Sequence, residues 1–309
     1  MIAKDATLSV RPGVRFYFHR GAQLIVHGKL LAQGALNNPI IMRGDRLGNM
    51  FSQQAYDNIP GQWGGVVFTY ESFNNEMDFV DIHSGNFGIR CDSSAVGQLK
   101  LKLTNSIVHN TKGDGLFAKV CNLKINNSQL TNSGGNCLTL LGGSYDFIHC
   151  TIGNFYMFAG GRGVALSFAN VEGDVRLPLE RLDFINCILT GYGSDEIVGS
   201  KSKRYENDPF NFSFRSCLID MPKPIQQEDL GHFINCFWDN NEGGKVSRED
   251  NFSPKFDLKK LIFSFQLDSL SQAVGNADIE QARLFAPVDR LGRSRLHGRG
   301  ADIGCYQRQ

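Results

Sequence analysis

The chain has 309 residues, of which 20% are charged, and its formal net charge is +1. This balance gives no electrostatic attraction toward nucleic acid or an anionic membrane, and the lack of any apolar run of about 18 residues argues against a transmembrane helix. The 34 glycines, together with few prolines and frequent Asn and Ser, favour many short strands joined by tight turns.

Residues 6–42 alternate apolar and polar side chains with a period of two, which predicts short strands rather than helices. Glycines such as Gly21, Gly28 and Gly34 divide the alternation into short runs. No basic segment followed by an apolar stretch precedes these runs, so the sequence as numbered shows no signal peptide. Because an uncovered first strand would expose unpaired backbone groups, we expect a segment upstream of Met1 that holds a cap and could hold an export signal.

A polar interruption occupies residues 43–62, and strands resume at residue 63. The next apolar alternation, at 77–82, predicts a single strand in which Ile82 is in register with Ile107. Within one strand, Asp78 and Asp81 would point to opposite faces and could not act together.

A recurring phrase dominates the middle of the chain. It reads Thr-Asn-Ser-Ile-Val-His-Asn at 104–110 and Asn-Asn-Ser-Gln-Leu-Thr-Asn at 126–132, so that Ser106 and Ser128 are 22 residues apart. Weaker copies follow at 148–154, 185–191, 215–220 and 234–240. Repetition at a period of about 20–40 residues predicts a solenoid.

Aligning the copies produces two columns. We predict that the first, of asparagines, forms a hydrogen-bonded ladder along the stack. The second, of cysteines, is predicted to be an interior file of free thiols rather than disulfides, because a free Cys behaves as a small apolar residue. Since no C-x-x-C pair occurs and the seven histidines show no metal-ligand spacing, the sequence predicts no metal site. The members are Asn105, Asn127, Asn186 and Asn235 in the first column and Cys150, Cys187, Cys217 and Cys236 in the second.

Two repeat intervals are longer than 22 residues, namely 37 between Cys150 and Cys187 and 30 between Cys187 and Cys217. We expect the extra residues to leave the stack as loops near 156–162 and 191–209, and inserted loops often build the binding face of a solenoid. The second loop is the best binding candidate, since aromatic rings can stack on sugars and charged groups can hold hydroxyls or uronate carboxylates. The alternative is a solvated excursion without a ligand. The candidate residues are Tyr192, Asp195, Glu196, Lys203, Arg204 and Tyr205.

The repeat pattern ends near residue 250. The sequence then predicts late strands around 256–258 and 263–267, a short helix over 279–285, and a basic tail that folds back over the last rung. We therefore divide the chain into a repeat region, 1–250, and a terminal cap, 251–309.

A parallel β-helix of roughly ten rungs fits the repeat best. A 22-residue unit is too short for the helix–turn–helix of a 34-residue repeat, and the leucine-rich-repeat signature is missing. Three short strands with small turns fill such a rung.

The segments 7–14, 24–34, 39–41 and 63–66 resemble the opening rungs of right-handed parallel β-helix proteins of the pectate-lyase-like superfamily. The segments 289–293 and 302–306 are similar to the ending of surface-associated β-helix proteins common in bacteria of the Bacteroidetes type. The resemblance implies an all-β, right-handed solenoid exported to the periplasm or outer surface. It also implies a family that often acts on polysaccharide or adheres to it, although fold alone does not give function.

Two functional hypotheses follow. A hydrolase of this fold needs two or three neighbouring carboxylates, and a lyase needs Ca²⁺ held by acids together with an Arg or Lys base. The acidic clusters at 76–81, 172–174 and 195–196 carry no family catalytic motif. We therefore favour a protein that binds polysaccharide or a surface partner without a cofactor. The alternative is a polysaccharide lyase, for which the cofactor would be Ca²⁺, or a glycoside hydrolase or epimerase acting on uronate-containing glycans. The sequence leaves catalysis and the oligomeric state open.

Overall fold

A computed structural model describes residues 1–95, 97–239, 248–298 and 300–308. The chain winds into a right-handed parallel β-helix with three long sheets, and the first and second sheets each stack nine strands. The predicted all-β solenoid is confirmed, with nine rungs where the repeat suggested roughly ten.

The first sheet contains β1 Thr7–Val10, β4 Lys29–Gln33, β9 Asn75–Asp78, β12 Leu99–Thr104, β15 Asn122–Asn126, β18 Gly143–Ile148, β23 Leu179–Ile185, β26 Phe210–Arg215 and β28 Phe233–Ile234. The second contains β2 Arg15–Phe18, β5 Ile40–Gly44, β10 Val80–His83, β13 Ile107–Thr111, β16 Gln129–Ser133, β19 Thr151–Asn154, β24 Ile188–Gly191, β27 Leu218–Ile219 and β29 Phe237–Trp238. The third contains β3 Gln23–Val26, β8 Gly65–Phe68, β11 Ile89–Cys91, β14 Leu116–Lys119, β17 Leu138–Leu141, β20 Leu166–Ala169 and β25 Ile197–Ser200.

Two hairpins leave the coil at its corners, β6 Asn49–Phe51 with β7 Gln54–Ala55 and β21 Val171–Glu172 with β22 Val175–Arg176. The helices are short: α1 Gln227–Leu230, α2 Ile279–Phe285, and 3₁₀ turns at Tyr56–Asn58 and Arg248–Asn251. None of the helices in the described part of the chain is long and apolar enough to cross a membrane.

A single residue in the left-handed conformation turns the chain from the first sheet into the second. Asn105, Asn127 and Asn186 take φ values of 49°, 54° and 55° there, a conformation that asparagine tolerates better than most residues. Phe79 makes the same turn with a φ of 46°. It divides residues 77–82 into β9 and β10, so the prediction of one strand there is wrong. The predicted register is also shifted by one residue, because Asp81, not Ile82, pairs with Ile107.

The asparagine column is hydrogen-bonded over part of its length. The amide of Asn127 donates to Asn105 Oδ1 at 2.6 Å, and the amide of Asn105 donates to Asp78 Oδ1 at 2.8 Å. Farther along, Asn186 Nδ2 lies 3.0 Å from Nε2 of His149. Asn235, the last of the four predicted ladder residues, is exposed.

The cysteine column faces the interior of the coil. The backbone amides of Cys150 and Cys187 point at the sulfur of the next cysteine, at 3.3 Å to Cys187 Sγ and 3.4 Å to Cys217 Sγ. Cys236 is half-buried at the end of the file, and all eight cysteines are free thiols. Burial raises the pKa of the Cys187 thiol, which therefore stays protonated.

Apolar side chains that recur from rung to rung fill the inside of the coil, which we call the inner core. Phe147, Phe184 and Phe214 form a continuous stack with ring centroids 4.5 and 5.2 Å apart. Near the other end, Trp63 is fully buried, stacks on Phe18 at 4.3 Å and donates its indole N–H to the carbonyl of His83.

Residues 248–298 and 300–308, which we call the outer layer, run back along the outer face of the second sheet. Tyr306 donates its hydroxyl to Gln129 Oε1 at 2.7 Å, and Arg295 donates to Asn127 Oδ1 at 2.8 Å. A second apolar cluster joins Ile188 and Leu218 of the second sheet, and Phe155 just after β19, to outer-layer residues. The outer-layer members include Phe252, Phe265 and Ile303. The segment therefore covers the side of the solenoid. The sequence predicts only that the tail folds back over the last rung.

Within the outer layer, the predicted helix is confirmed as α2. The side chain of Asp278 accepts hydrogen bonds from the amides of Glu280 and Gln281 at 3.0 and 3.2 Å and so caps its first turn. The two predicted late strands are instead isolated antiparallel bridges, Phe252 with Leu267 and Asp257 with Ile262.

Candidate functional site

The segment 191–209 is not one loop. Strand β25 divides it, so Tyr192, Asp195 and Glu196 lie at the corner between the second and third sheets. The other three candidates, at 203–205, lie at the corner that leads from the third sheet back to the first. Four strand residues of about 3.3 Å each separate the two groups, so they do not form a single binding face.

Glu196 is buried and holds its corner together. Its carboxylate accepts the amides of Gly193 at 2.6 Å and Ala165 at 2.8 Å, and it pairs with Arg162 at 2.9 Å. Burial raises the pKa of Glu196, although Arg162 and the two amides oppose that rise. Because all its oxygens are engaged by the protein, Glu196 acts in the structure as a clamp between neighbouring loops.

Tyr192 and Asp195 make local contacts at the same corner. The ring of Tyr192 packs edge-on against Phe155 at 5.0 Å, and its hydroxyl donates to Glu249 Oε2 at 3.2 Å. Burial and the neighbouring Glu249 raise the pKa of Tyr192 to about 12. Asp195 is exposed and accepts the amide of Ile197 at 3.2 Å.

The other three candidates face the hairpin β21–β22. Arg204 pairs with Asp174 at 2.8 Å, and the Tyr205 hydroxyl donates to the backbone carbonyl of Asp174 at 3.1 Å. The guanidinium of Arg176, from the same hairpin, lies over the Tyr205 ring, 5.2 Å from its centroid. Lys203 is exposed. Apart from Lys203, these side chains close a loop against a hairpin.

A groove of about 670 Å³ lies farther up the corner between the second and third sheets. We call it the corner groove. Hairpin β6–β7 forms one wall, the loop after β19 forms another, and the outer layer closes the third side. Its lining includes Phe51 from the hairpin, Lys112 and Gly134 from the floor, Tyr156 and Phe158 from the loop, and Leu258 and Leu261 from the outer layer.

Several apolar side chains of the corner groove are exposed. Phe51 is 61% exposed and Met157 is 40% exposed, and Tyr156 contacts Phe158 with ring centroids 5.1 Å apart. Lys112 is the only charged side chain among the described residues of the lining. Gly134 permits the close approach of the floor to the loop, since a Cβ there would lie 2.3 Å from the carbonyl oxygen of Lys112 and 3.0 Å from the Tyr156 ring.

A second depression of about 350 Å³ lies between the second sheet and the outer layer. We call it the polar cavity. Its sheet side carries His109, Asn110, Gln129, Thr131 and Asn132, and its outer side includes residues 261–266 and Tyr306. Leu261 lines both the polar cavity and the corner groove, so the two depressions lie on either side of this residue.

A cluster of histidines and acids lies beside the polar cavity. Asp81 and His83 are alternate residues of β10 and so point to the same face, and strand register places His109 of β13 directly opposite His83. His83 donates from Nδ1 to Asp81 Oδ1 at 2.8 Å and from Nε2 to Asp57 Oδ1 at 2.7 Å. His109 Nε2 lies 3.3 Å from the same oxygen of Asp81. We call Asp57, Asp81, His83 and His109 the histidine cluster.

The charges of this cluster stabilise one another. Burial disfavours the charged form of His83, but Asp81 and Asp57 outweigh burial and raise its pKa to about 9. Burial would likewise raise the pKa of Asp81, yet His83 and His109 hold it well below its usual value. Arg43 contacts Asp57 and fixes the outer end of the cluster.

Two stacked carboxylates, which we call the acid pair, lie near the other end of the second sheet. Strand register places Asp220 beside Asp239, one residue beyond β27 and β29. Burial and the charge of Asp239 raise the pKa of Asp220 to about 7. Asp220 Oδ2 and Asp239 Oδ1 have no hydrogen-bond partner within the described chain, while Asp239 Oδ2 accepts from Arg248, Asn251 and Thr190.

Sequence reasoning missed the histidine cluster because it treated residues 77–82 as one strand and looked for histidines close together in sequence. The available signal was the phrase Asp-x-His at 81–83, since aligning Val80 with Ser106 places His109 opposite His83. The prediction concerned spacing along the chain, whereas His83 and His109 meet through the pairing of two strands. The exposed Phe51 carried no repeat signal, because its hairpin leaves the coil, while the loop near 156–162 was predicted from the long interval between Cys150 and Cys187.

Neither a scan against protein-family models nor a search of curated proteins found a match to this chain.

Proposed function

We propose that this protein binds a polysaccharide that carries carboxylate groups, and that the chain of sugars lies in the corner groove. The observation that supports this most strongly is the combination of one exposed aromatic ring, that of Phe51, and the half-buried ring of Phe158 with a single lysine in the described lining. Aromatic rings offer large apolar faces on which sugar rings can stack. The ammonium group of Lys112 can pair with a uronate carboxylate by a charge-assisted hydrogen bond.

The dimensions of the groove favour a chain over a compact ligand. Its walls come from the rungs of β5 and β19, which are four strand spacings apart in the second sheet, or about 19 Å. Between them the floor consists of short, glycine-containing corners such as Gly134. Short corners between two longer loops make a trough that runs along the solenoid axis.

The resemblance of the opening and closing segments supports the same assignment. Relation to pectate-lyase-like β-helix proteins and to surface-associated proteins of the Bacteroidetes type would place this chain in the periplasm or on the outer surface, where polysaccharide is available. The parallel β-helix is compatible with this relation, and the proposal concerns the ligand and the location.

The test is binding of purified protein to polygalacturonate, alginate and a neutral glucan, measured by calorimetry. We expect Phe51→Ala to weaken binding of the uronate polymers by about tenfold or more, which corresponds to about 1.4 kcal/mol. Lys112→Met should weaken binding of uronate polymers and leave any binding of neutral glucan unchanged.

Two matched controls distinguish the corner groove from other surfaces. Tyr70→Ala removes an aromatic ring that is 57% exposed and lies outside the groove lining. Lys203→Met removes a lysine from the predicted loop at the other corner. Uronate binding that is unchanged in Phe51→Ala and Lys112→Met, or that is lost in Lys203→Met, would contradict the assignment.

A second candidate, catalysis on uronate glycans, is favoured by the acid pair. A carboxyl group whose pKa is about 7 can donate a proton near neutral pH, as a glycosidase acid does. However, Asp220 and Asp239 are 1% and 0% exposed, so no substrate oxygen reaches them in this structure. Release of reducing or unsaturated ends from uronate polymers, with and without Ca²⁺, and its loss in Asp220→Asn would support this candidate over pure binding.

A further inference from the structure

We propose that Asp81, His83 and His109 bind a divalent transition-metal ion, for which Zn²⁺ is the best fit. One potential ligand atom from each of the three side chains lies within 4.8 Å of the other two. Two imidazoles and one carboxylate form a donor set that suits zinc and its neighbours in the first transition row, whereas Ca²⁺ and Mg²⁺ prefer oxygen donors alone.

The β-helix holds these ligands on rigid elements. Asp81 and His83 come from β10, and His109 comes from β13, its hydrogen-bonded neighbour in the second sheet. The His83 and His109 rings lie 4.9 Å apart between centroids. Because paired strands fix both Cβ positions, the histidines approach each other without any loop having to order on metal binding.

The distances between the ligand atoms are close to those of a tetrahedral site. Zinc lies about 2.0–2.2 Å from nitrogen and oxygen ligands, so neighbouring ligands of a tetrahedron are roughly 3.4 Å apart. Asp81 Oδ1 is 2.8 Å from Nδ1 of His83 and 3.3 Å from Nε2 of His109. The contact between His83 Nδ1 and Asp81 Oδ1 would have to lengthen toward about 3.4 Å to admit the ion, and any proton on His83 Nδ1 or His109 Nε2 would leave to solvent.

Asp57 gives the arrangement a second feature of metal sites. A histidine that binds metal through one ring nitrogen usually donates the other N–H to a carboxylate, which fixes the tautomer and the ring orientation. His83 Nε2 lies 2.7 Å from Asp57 Oδ1, and Arg43 contacts the same carboxylate. Nδ1 of His83 is thus the nitrogen that faces Asp81 and His109, as the proposed site requires.

Three protein ligands leave a coordination position open, which is typical of catalytic rather than structural zinc sites. His109 also lines the polar cavity, so that position can be reached from a space of about 350 Å³. A water molecule or a small anionic group fits there. This inference is independent of polysaccharide binding in the corner groove, whose lining contains none of the three ligands.

The test is calorimetric titration of metal-free protein, produced without a histidine tag, with ZnCl₂ and CoCl₂. We expect one equivalent of Zn²⁺ to bind, and the Co²⁺ form to show the intense visible absorption of a four- or five-coordinate site. His109→Ala should weaken Zn²⁺ binding at least 100-fold, and Asp57→Asn should weaken it about 10- to 100-fold.

The matched control is His19→Ala. His19 Nδ1 lies 2.8 Å from Asp45 Oδ2, so it forms a His–Asp pair of the same length on the exposed surface, away from the proposed ligands. Loss of binding in His109→Ala with unchanged binding in His19→Ala supports the site. Equal Zn²⁺ affinity in wild type and His109→Ala would overturn it. If His109→Ala does not fold, the titrations of the wild-type protein test the proposal. A wild-type protein that takes up no Zn²⁺ and gives no Co²⁺ absorption has no such site.

Discussion

The inner core and the outer layer bury side chains in different ways. In the inner core, each rung places apolar side chains over those of the previous rung, and identical rings stack at Phe147, Phe184 and Phe214. The contacts between the outer layer and the second sheet follow no such repeat and join distant parts of the chain. The hydroxyl of Tyr306 reaches Gln129 across 177 residues of sequence, and Arg295 reaches Asn127 across 168.

The two regions also differ in polarity. The inner core is mainly apolar, with a file of thiols, whereas the outer face of the second sheet buries amides and hydroxyls such as those of Gln129 and Thr131. Polar groups can be buried at low cost only where they form hydrogen bonds. The outer layer supplies some of the hydrogen-bond donors and acceptors for this face. The corner groove, the polar cavity and the acid pair all border the outer layer. The repeat thus builds the frame and carries the histidine cluster and the acid pair, and the outer layer closes the groove and the cavity beside that frame.

The largest expected effect is in the inner core. Phe184→Ala should lower the free energy of unfolding by about 3–5 kcal/mol, because the fully buried ring is stacked on both sides and its removal leaves a cavity. Denaturant titration measures this change. As a control, Phe285→Ala removes a ring that is 51% exposed in the outer layer and should cost less than about 1 kcal/mol. If both variants lost a similar free energy of unfolding, the proposed difference between the inner core and the outer layer would be wrong.

The next effect depends on pH and concerns Asp220, at the border of the outer layer. Its pKa is about 7 in the folded protein, against about 3.9 for an unperturbed Asp. Between these values the folded state holds a proton that the unfolded state has released, so stability from this group falls as pH rises from about 4 to 7 and is level above 7. Asp220→Asn should remove that slope and stabilise the protein at pH 8 by on the order of 2–4 kcal/mol.

Denaturation midpoints between pH 4 and pH 8 test this expectation. Asp229→Asn, in the exposed helix α1, serves as the control and should leave the pH profile of stability unchanged. Wild-type and Asp220→Asn curves that run parallel across the range would show that Asp220 does not titrate within it.

The smallest effect concerns a single contact of the outer layer. Tyr306→Phe should lower the free energy of unfolding by about 1–3 kcal/mol, because Gln129 Oε1 would remain buried without its hydroxyl donor. Amide hydrogen exchange of Tyr306→Phe compares the outer layer with the strands of the inner core. We expect faster exchange in the outer layer and unchanged exchange at the amides of β15 and β18, whose core side chains face inward. Tyr70→Phe, at a ring that is 57% exposed, should change neither quantity.

Prediction from the sequence succeeded where a pattern is local or periodic. The phrase around Ser106 and Ser128 returns at the rung spacing, and its asparagines take the left-handed turn that the repeat requires. The helix α2 was predicted with its bounds, and the structure shows that Asp278 caps its first turn. In both cases, the residues that carry the pattern are the residues that form the predicted structure.

Prediction failed where one residue departs from the pattern or where contacts are distant. Phe79 turns the corner although a phenylalanine gives no turn signal, and this concealed the relation between His83 and His109. Strand β25 divides the segment 191–209 because Ile197 pairs with Leu166 of the rung below, a contact that the segment alone does not reveal. The groups predicted to share one face consequently lie at two different corners.

The repeats in the sequence are sufficient to predict the rung length, the column of asparagines, the file of cysteines and the all-β architecture. These features can be predicted because neighbouring rungs have similar sequences. Aligning the repeats therefore predicts which residues of neighbouring rungs stack on one another. The histidine cluster lies on two neighbouring rungs, β10 and β13, whose register is obscured in the sequence by Phe79. The corner groove and the polar cavity, in contrast, exist because of where the outer layer lies. Those sites depend on single contacts between residues far apart in the chain, and no periodic pattern encodes such contacts.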